Sequence, residues 1–182
     1  MSIKTDDLNG FIDVVEDILF DEDFIKLRDE KHHGRNNRYN HSLRVALNTY
    51  KRTKNSNLDC VSATRGALLH DFFLTKDVGY TMREELTTHP GVALNNAINK
   101  FDINDIEKDI IKTHMFPLTM GIPKSREAKL VSLIDKKIAF REIIKHVILK
   151  IKLKEINVED IDFDKSKLKE KEILNIINSK AV

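Results

Sequence analysis

Apolar residues recur at helical spacing in one segment of this chain after another, and that period limits it to helices packed on helices. Residues 7–28 carry Leu8, Phe11, Ile12, Val15, Ile18, Leu19 and Ile25 on one stripe. Residues 39–53 place Leu43, Ala46, Leu47 and Tyr50 in the same way, and an apolar, small-residue segment over 58–70 ends in LLHDFF. Six glycines and three prolines in 182 residues are too few turn-formers for a sandwich or barrel of many short strands. KHHGRNN at 31–37 reads as a loop, and NSNLD at 55–59 breaks the helix over 39–53, with Ser56 or Asn57 as the N-cap of the next. Residues 74–89 read as irregular. Pro90 is expected to open a helix to about 100, because its missing N–H costs nothing at the first helical position. FDIND at 101–105 caps a helix over 103–114, MFPLTMGIPK (115–124) is a loop, and Ser125 caps a helix over 126–148. The expectation is an all-α, single-domain fold. An acidic N-terminal helix in 1–30 packs on a core of 31–148, and 149–182 form a C-terminal extension with a short helix near 167–179.

The length is enough to bury a core without disulfides. No apolar run approaches the roughly 20 residues of a membrane span. The opening MSIKTDDLNG is acidic and no secretory h-region follows it. The single cysteine, Cys60, reads as a small buried hydrophobe. A cytoplasmic home is therefore expected. Residues 1–30 hold three basic and ten acidic side chains, so the remainder is net basic. A basic remainder can steer a phosphorylated ligand. No aromatic-interleaved basic stripe suggests single-stranded nucleic acid, and the oligomeric state is open.

The histidines carry the chemistry. His41 lies near the start of its helix, on a face shared with Arg44. His70 and Asp71 close an apolar helix, with Gly66 and Ala67 one turn back to admit a neighbouring helix. His114 ends the stripe of Ile103, Ile106, Ile110 and Ile111. Asp135 is the most telling, because Ala128, Val131 and Ile138 flank it on an apolar stripe. A buried lone carboxylate is very costly, and a metal ion is a natural partner. Imidazoles with carboxylates suit divalent Mn, Fe, Co, Ni or Zn, with Mg not distinguished, as one ion or two.

The order His41, His70-Asp71, Asp135 resembles the H…HD…D signature of the HD-domain metal-dependent phosphohydrolases. RYNHSLRVA (38–46), GALLHDFF (66–73) and LVSLIDKK (130–137) carry the resemblance. TTHPGVALNNA (87–97) and IIKTHMFP (110–117) are similar to motifs of binuclear members such as the HD-GYP cyclic-dinucleotide phosphodiesterases. The resemblance implies a helical HD-domain fold. His41, His70, Asp71 and Asp135 would bind a first metal, Asp71 would bridge, and His89 and His114 would bind a second. The chain departs from that subgroup in having His114-Met115 for a His pair and MFPLTMGIP for the GYP string, so a cyclic dinucleotide is not carried over as substrate. Lys76 is the candidate for the lysine expected soon after the HD pair.

The implied activity is hydrolysis of a phosphoester of a nucleotide or other small phosphorylated substrate by a water that the metal activates. Asp71, Arg44 and Lys136 are the candidate catalytic residues, and Arg38 and Lys76 the candidate phosphate ligands. Glu84 or Glu85 would supply an acid or base if 74–89 folded over the site. A second reading is a non-hydrolysing HD-fold regulatory module that holds metal and a phosphorylated ligand. A third is a helical interaction domain with core histidines.

Overall fold

The computed structural model describes residues 5–32, 36–78 and 81–155. The fold is all-α. Seven α-helices occur among the described residues: α1 (Thr5–Leu19), α2 (Glu22–Ile25), α3 (Arg38–Thr53), α4 (Cys60–Leu69), α5 (Met82–Lys100), α6 (Asp105–Thr113) and α7 (Arg126–Glu155). The described residues up to Val147 form one compact unit, and the end of α7 from Ile148 belongs to a second. Every site residue below belongs to the first.

The apolar stripe of 7–28 is divided between two helices. Phe11, Val15 and Ile18 bury one face of α1, and α1 packs against α4. Asp21 then interrupts the stripe by capping α2, its carboxylate accepting from the amides of Asp23 and Phe24 at 2.9 and 3.1 Å. Arg65 of α4 holds α1 from the other side. Its guanidinium donates to both oxygens of Asp17 at 2.6 and 2.9 Å and to Glu107 of α6 at 3.0 Å.

The expected loop at 31–37 contains a two-residue antiparallel ladder, β1 (Lys31–His32) with β2 (Asn36–Asn37). It delivers Asn37 to the start of α3, where its side chain accepts from the Asn40 amide at 2.8 Å. The cap of α4 is Asp59 rather than Ser56 or Asn57, because its carboxylate reaches the Ser62 amide at 3.0 Å. The helix expected from Pro90 starts two turns earlier. Thr81 and Glu84 form a capping box, with Glu84 accepting from the Thr81 amide at 3.0 Å. Pro90 therefore lies inside α5 and leaves the carbonyl one turn back without its helical donor. Helix α6 is capped by Asn104, and Ser125 Oγ accepts from the Ala128 amide at 3.1 Å at the start of α7. Helix α7 runs on past the expected end at 148. The short helix expected near 167–179 lies outside the described residues.

Gly66 sets the contact between α4 and α6. A Cβ there would meet Ile110 Cδ1 at 2.8 Å and two further Ile110 carbons at 3.1 and 3.2 Å. The two helices approach over this hydrogen atom, and one turn on, each ends in a histidine.

Candidate metal centre

His41 on α3, His70 and Asp71 at the end of α4, His89 on α5, His114 at the end of α6 and Asp135 on α7 are all buried. The structure brings all six together. The packed apolar faces of five helices put these polar groups into one place, where no water-filled surface solvates them.

The orientation of each ring follows from what its Nδ1 meets. A carbonyl oxygen only accepts, so a ring nitrogen facing one must carry the proton. His70 Nδ1 donates to the Ala67 carbonyl at 2.8 Å, and His114 Nδ1 to that of Ile111 at 2.8 Å. His89 Nδ1 donates to the Glu85 carbonyl at 2.7 Å. Each of these three rings thus turns Nε2 inward, and that nitrogen is a free acceptor whenever the ring is neutral. His70 Nε2 makes no hydrogen bond although it is fully buried. An orphaned buried acceptor of this kind is costly, and a cation satisfies it.

Asp71 divides its two oxygens between the histidines. Oδ2 lies 3.5 Å from His70 Nε2, while Oδ1 lies 3.4 Å from both His89 Nε2 and His114 Nε2. Asp135 Oδ1 lies 2.9 Å from His41 Nε2 and 3.7 Å from His70 Nε2. Among the described residues, His41, His70 and Asp71 form one group able to hold a metal ion, and Asp71, His89 and His114 form another. In each group the ligand atoms lie within 4.8 Å of one another, and Asp71 belongs to both. The donor set, imidazole nitrogen with carboxylate oxygen, fits a divalent transition metal.

Each group pairs one histidine lowered in pKa with one that is raised. Burial pushes His70 down, and pushes His89 down to about 4, so both are neutral ligands near pH 7. Burial opposes protonation of His41 as well, but hydrogen bonds to Asp135 and Glu142 outweigh it and raise the ring to about 10. Asp135 is disfavoured as an anion by burial, yet the His41 hydrogen bond and the neighbouring imidazoles bring it down to about 2. Asp71 is likewise held well below the usual carboxylate range against its burial, by His70, His114 and His89. His114 is raised despite its burial, by Asp71.

The remaining candidates sit outside the cluster. Arg38 is 1% exposed. It donates to Glu30 at 3.1 Å, to Glu85 at 3.1 Å and to the Phe73 carbonyl at 3.2 Å, and its guanidinium stacks 3.7 Å above the Phe73 ring. These contacts tie Glu30 and Phe73 to Glu85 of α5. Lys136 Nζ donates to the His114 carbonyl at 2.8 Å and to Ser132 Oγ at 2.6 Å, so it lies behind the metal-facing edge of His114. Lys76 is exposed on a 3-10 turn at Thr75–Asp77. Glu84 closes the capping box of α5 and Glu85 pairs with Arg38. Arg44 pairs with Glu142.

Glu142 is a further member of the site, one that does not stand out in the sequence alone. It is buried, and its Oε2 lies 3.1 Å from His41 Nδ1. The signal was present in the helical stripe of α7: Val131, Asp135, Ile138 and Glu142 fall on one face.

No family model, no curated protein and no solved structure matches this chain. The site's chemistry therefore rests on its own geometry. No helix among the described residues is long and apolar enough to cross a membrane.

Proposed function

We propose that this chain is a metal-dependent phosphohydrolase of the HD type, acting on a nucleotide or other small phosphoester. One observation carries the reading. Four imidazoles hold their Nδ1 against protein oxygens and turn Nε2 toward two carboxylates, one of which splits its oxygens between two ligand groups. His41, His70, Asp71 and Asp135 would hold one divalent ion, and Asp71, His89 and His114 the other. Bound ions would supply Lewis acidity toward the phosphoryl oxygens and an activated water for in-line attack.

The chain's own residues fix the ligands before any ion arrives. Carbonyls at the ends of α4 and α6 and within α5 set three tautomers, and the close approach at Gly66 sets the spacing between His70 and His114. The two rings stand 4.9 Å apart, edge to face. Phe73 stacks on His89 at 5.0 Å and excludes water from that side. Arg38 Nη atoms and Lys136 Nζ meet protein acceptors, so bound ions would be the chief positive charge facing a phosphate.

The test is metal content of the purified full chain, beside Asp71→Ala and Asp135→Ala, with hydrolysis of chromogenic phosphomonoesters and phosphodiesters. Two ions per chain, lost from Asp71→Ala together with hydrolysis, support the binuclear enzyme. Bound metal with every ester left intact favours the non-hydrolysing module. No metal uptake from added Mn²⁺, Zn²⁺ or reduced iron overturns the reading.

A further inference from the structure

We infer that Glu142 is a positioning residue for the metal centre: it fixes which nitrogen of His41 faces the ion, and Arg44 fixes Glu142. The inference rests on the metal-binding reading above, and adds to it the group that orients the first ligand.

His41 differs from the other three histidines. His70, His89 and His114 each point Nδ1 at a carbonyl three or four residues back on their own chain, so their tautomers are set locally. His41 sits in the first turns of α3. Its Nδ1 instead meets a carboxylate from a different helix, Glu142 Oε2 at 3.1 Å. The opposite ring nitrogen, Nε2, is the one that faces Asp135 and the ligand group. A carboxylate on the far nitrogen of a ligating histidine fixes the ring's tautomer and orientation and makes it a stronger donor. Without an acceptor there, a neutral His41 has no reason to keep its proton on Nδ1 rather than on Nε2, where it would block coordination.

Glu142 is itself held. Its Oε1 accepts from Arg44, whose side chain is 45% exposed while that of Glu142 is 7% exposed. The carboxylate is thereby divided, one oxygen to the cation at the surface and one to the buried ring. Asp135 and Glu142 lie two turns apart on α7, so one rigid helix carries both the carboxylate at His41 Nε2 and the carboxylate at His41 Nδ1. The ring is clamped between them.

The experiment titrates Zn²⁺ into metal-stripped full-length protein by calorimetry, for wild type, Glu142→Met and Glu142→Gln, with circular dichroism to confirm the helical signal. Methionine keeps the volume and removes the acceptor; glutamine keeps an acceptor oxygen and removes the charge. Glu142→Met is expected to weaken the site containing His41 about 10–100-fold, to leave the His89/His114 site much less affected, and to be partly rescued in Glu142→Gln. Wild-type affinity in Glu142→Met overturns the inference while leaving the metal site intact. Equal loss at both sites also overturns it, because a positioning role is local to His41. Failure of wild type to bind Zn²⁺ overturns the metal reading itself. The ¹⁵N shifts of His41 in zinc-loaded wild type give a variant-free check should Glu142→Met not fold. A proton on Nδ1 with zinc on Nε2 supports the inference, and zinc on Nδ1 overturns it.

Discussion

The Nε2 atoms of His89 and His114 face each other across 3.0 Å, and each ring's proton is already committed to a backbone carbonyl through Nδ1. Two neutral rings so placed set lone pair against lone pair, so a proton or a cation must lie between them. Asp71 Oδ1, 3.4 Å from both, makes the position favourable for a divalent ion. Replacing His89 or His114 with alanine should lower bound metal from two ions per chain to one, read by elemental analysis of dialysed protein. Two ions retained in both variants would identify the pair as a proton-sharing core contact.

The metal-free protein should have a stability maximum set by its own ligands. The folded pKa of His41 is raised from 6.5 to about 10. Its contribution is fully present below pH 6.5 and is lost as pH rises toward 10. His89 is lowered from 6.5 to about 4, so a buried neutral ring opposes protonation and destabilises the fold as pH falls through that window. Asp135, lowered from 3.8 to about 2, adds a further loss below pH 3.8. Denaturant midpoints of the metal-stripped chain should therefore fall on both sides of a maximum near pH 6.5. A His41→Ala variant should lose the alkaline limb. An alkaline limb unchanged in that variant would contradict the assignment.

Much of this centre was legible because its ligands break a pattern. Asp135 stands out on an apolar stripe, and His70 and His114 follow buried apolar pairs, Leu68 and Leu69 in α4 and Ile110 and Ile111 in α6. Glu142 does not stand out, because a second carboxylate two turns on, in a helix rich in Lys, resembles an ordinary solvated position. Only the approach of α3 shows that it is covered. The start of α5 lies away from its expected place for a related reason. Pro90 is a strong local signal, but the capping box at Thr81 and Glu84 is stronger, and packing of the helix tolerates the missing hydrogen bond. The roles of Arg38 and Lys136 depend on which acceptors come near from other elements, and no spacing along the chain encodes that.

Gly66 is expected to tolerate no side chain. A methyl group there meets Ile110 at 2.8 Å, so α4 and α6 must part or Ile110 must leave its rotamer. Overpacking of this kind costs about 1–3 kcal/mol, or a fall in Tm of about 2–12 °C for a chain of this size. Because the same contact spaces His70 from His114, Gly66→Ala should also weaken metal binding in the fraction that stays folded. An unchanged Tm in thermal denaturation would show that α4 and α6 are not in this contact.

Arg38 offers a sharper test of what holds the second ligand group. Its guanidinium lies over one ring, Phe73, and Phe73 in turn stacks on His89 at 5.0 Å with 24° between the planes. Glu30, Glu85 and the Phe73 carbonyl accept from its two Nη atoms. Charge-assisted hydrogen bonds of a buried cation contribute about 1.5–3 kcal/mol each on deletion, and the loss here is tempered by the partial exposure of both glutamates. Arg38→Ala should therefore lower stability by about 2–3 kcal/mol and loosen the ion at His89 and His114. Arg38→Lys should not restore it, because an ammonium cannot fork to three acceptors and stack on a ring as well. A phosphate ligand behaves differently, raising KM for a phosphoester while leaving Tm in place. Thermal denaturation run beside steady-state kinetics separates the two, and a raised KM at unchanged Tm would return Arg38 to the substrate.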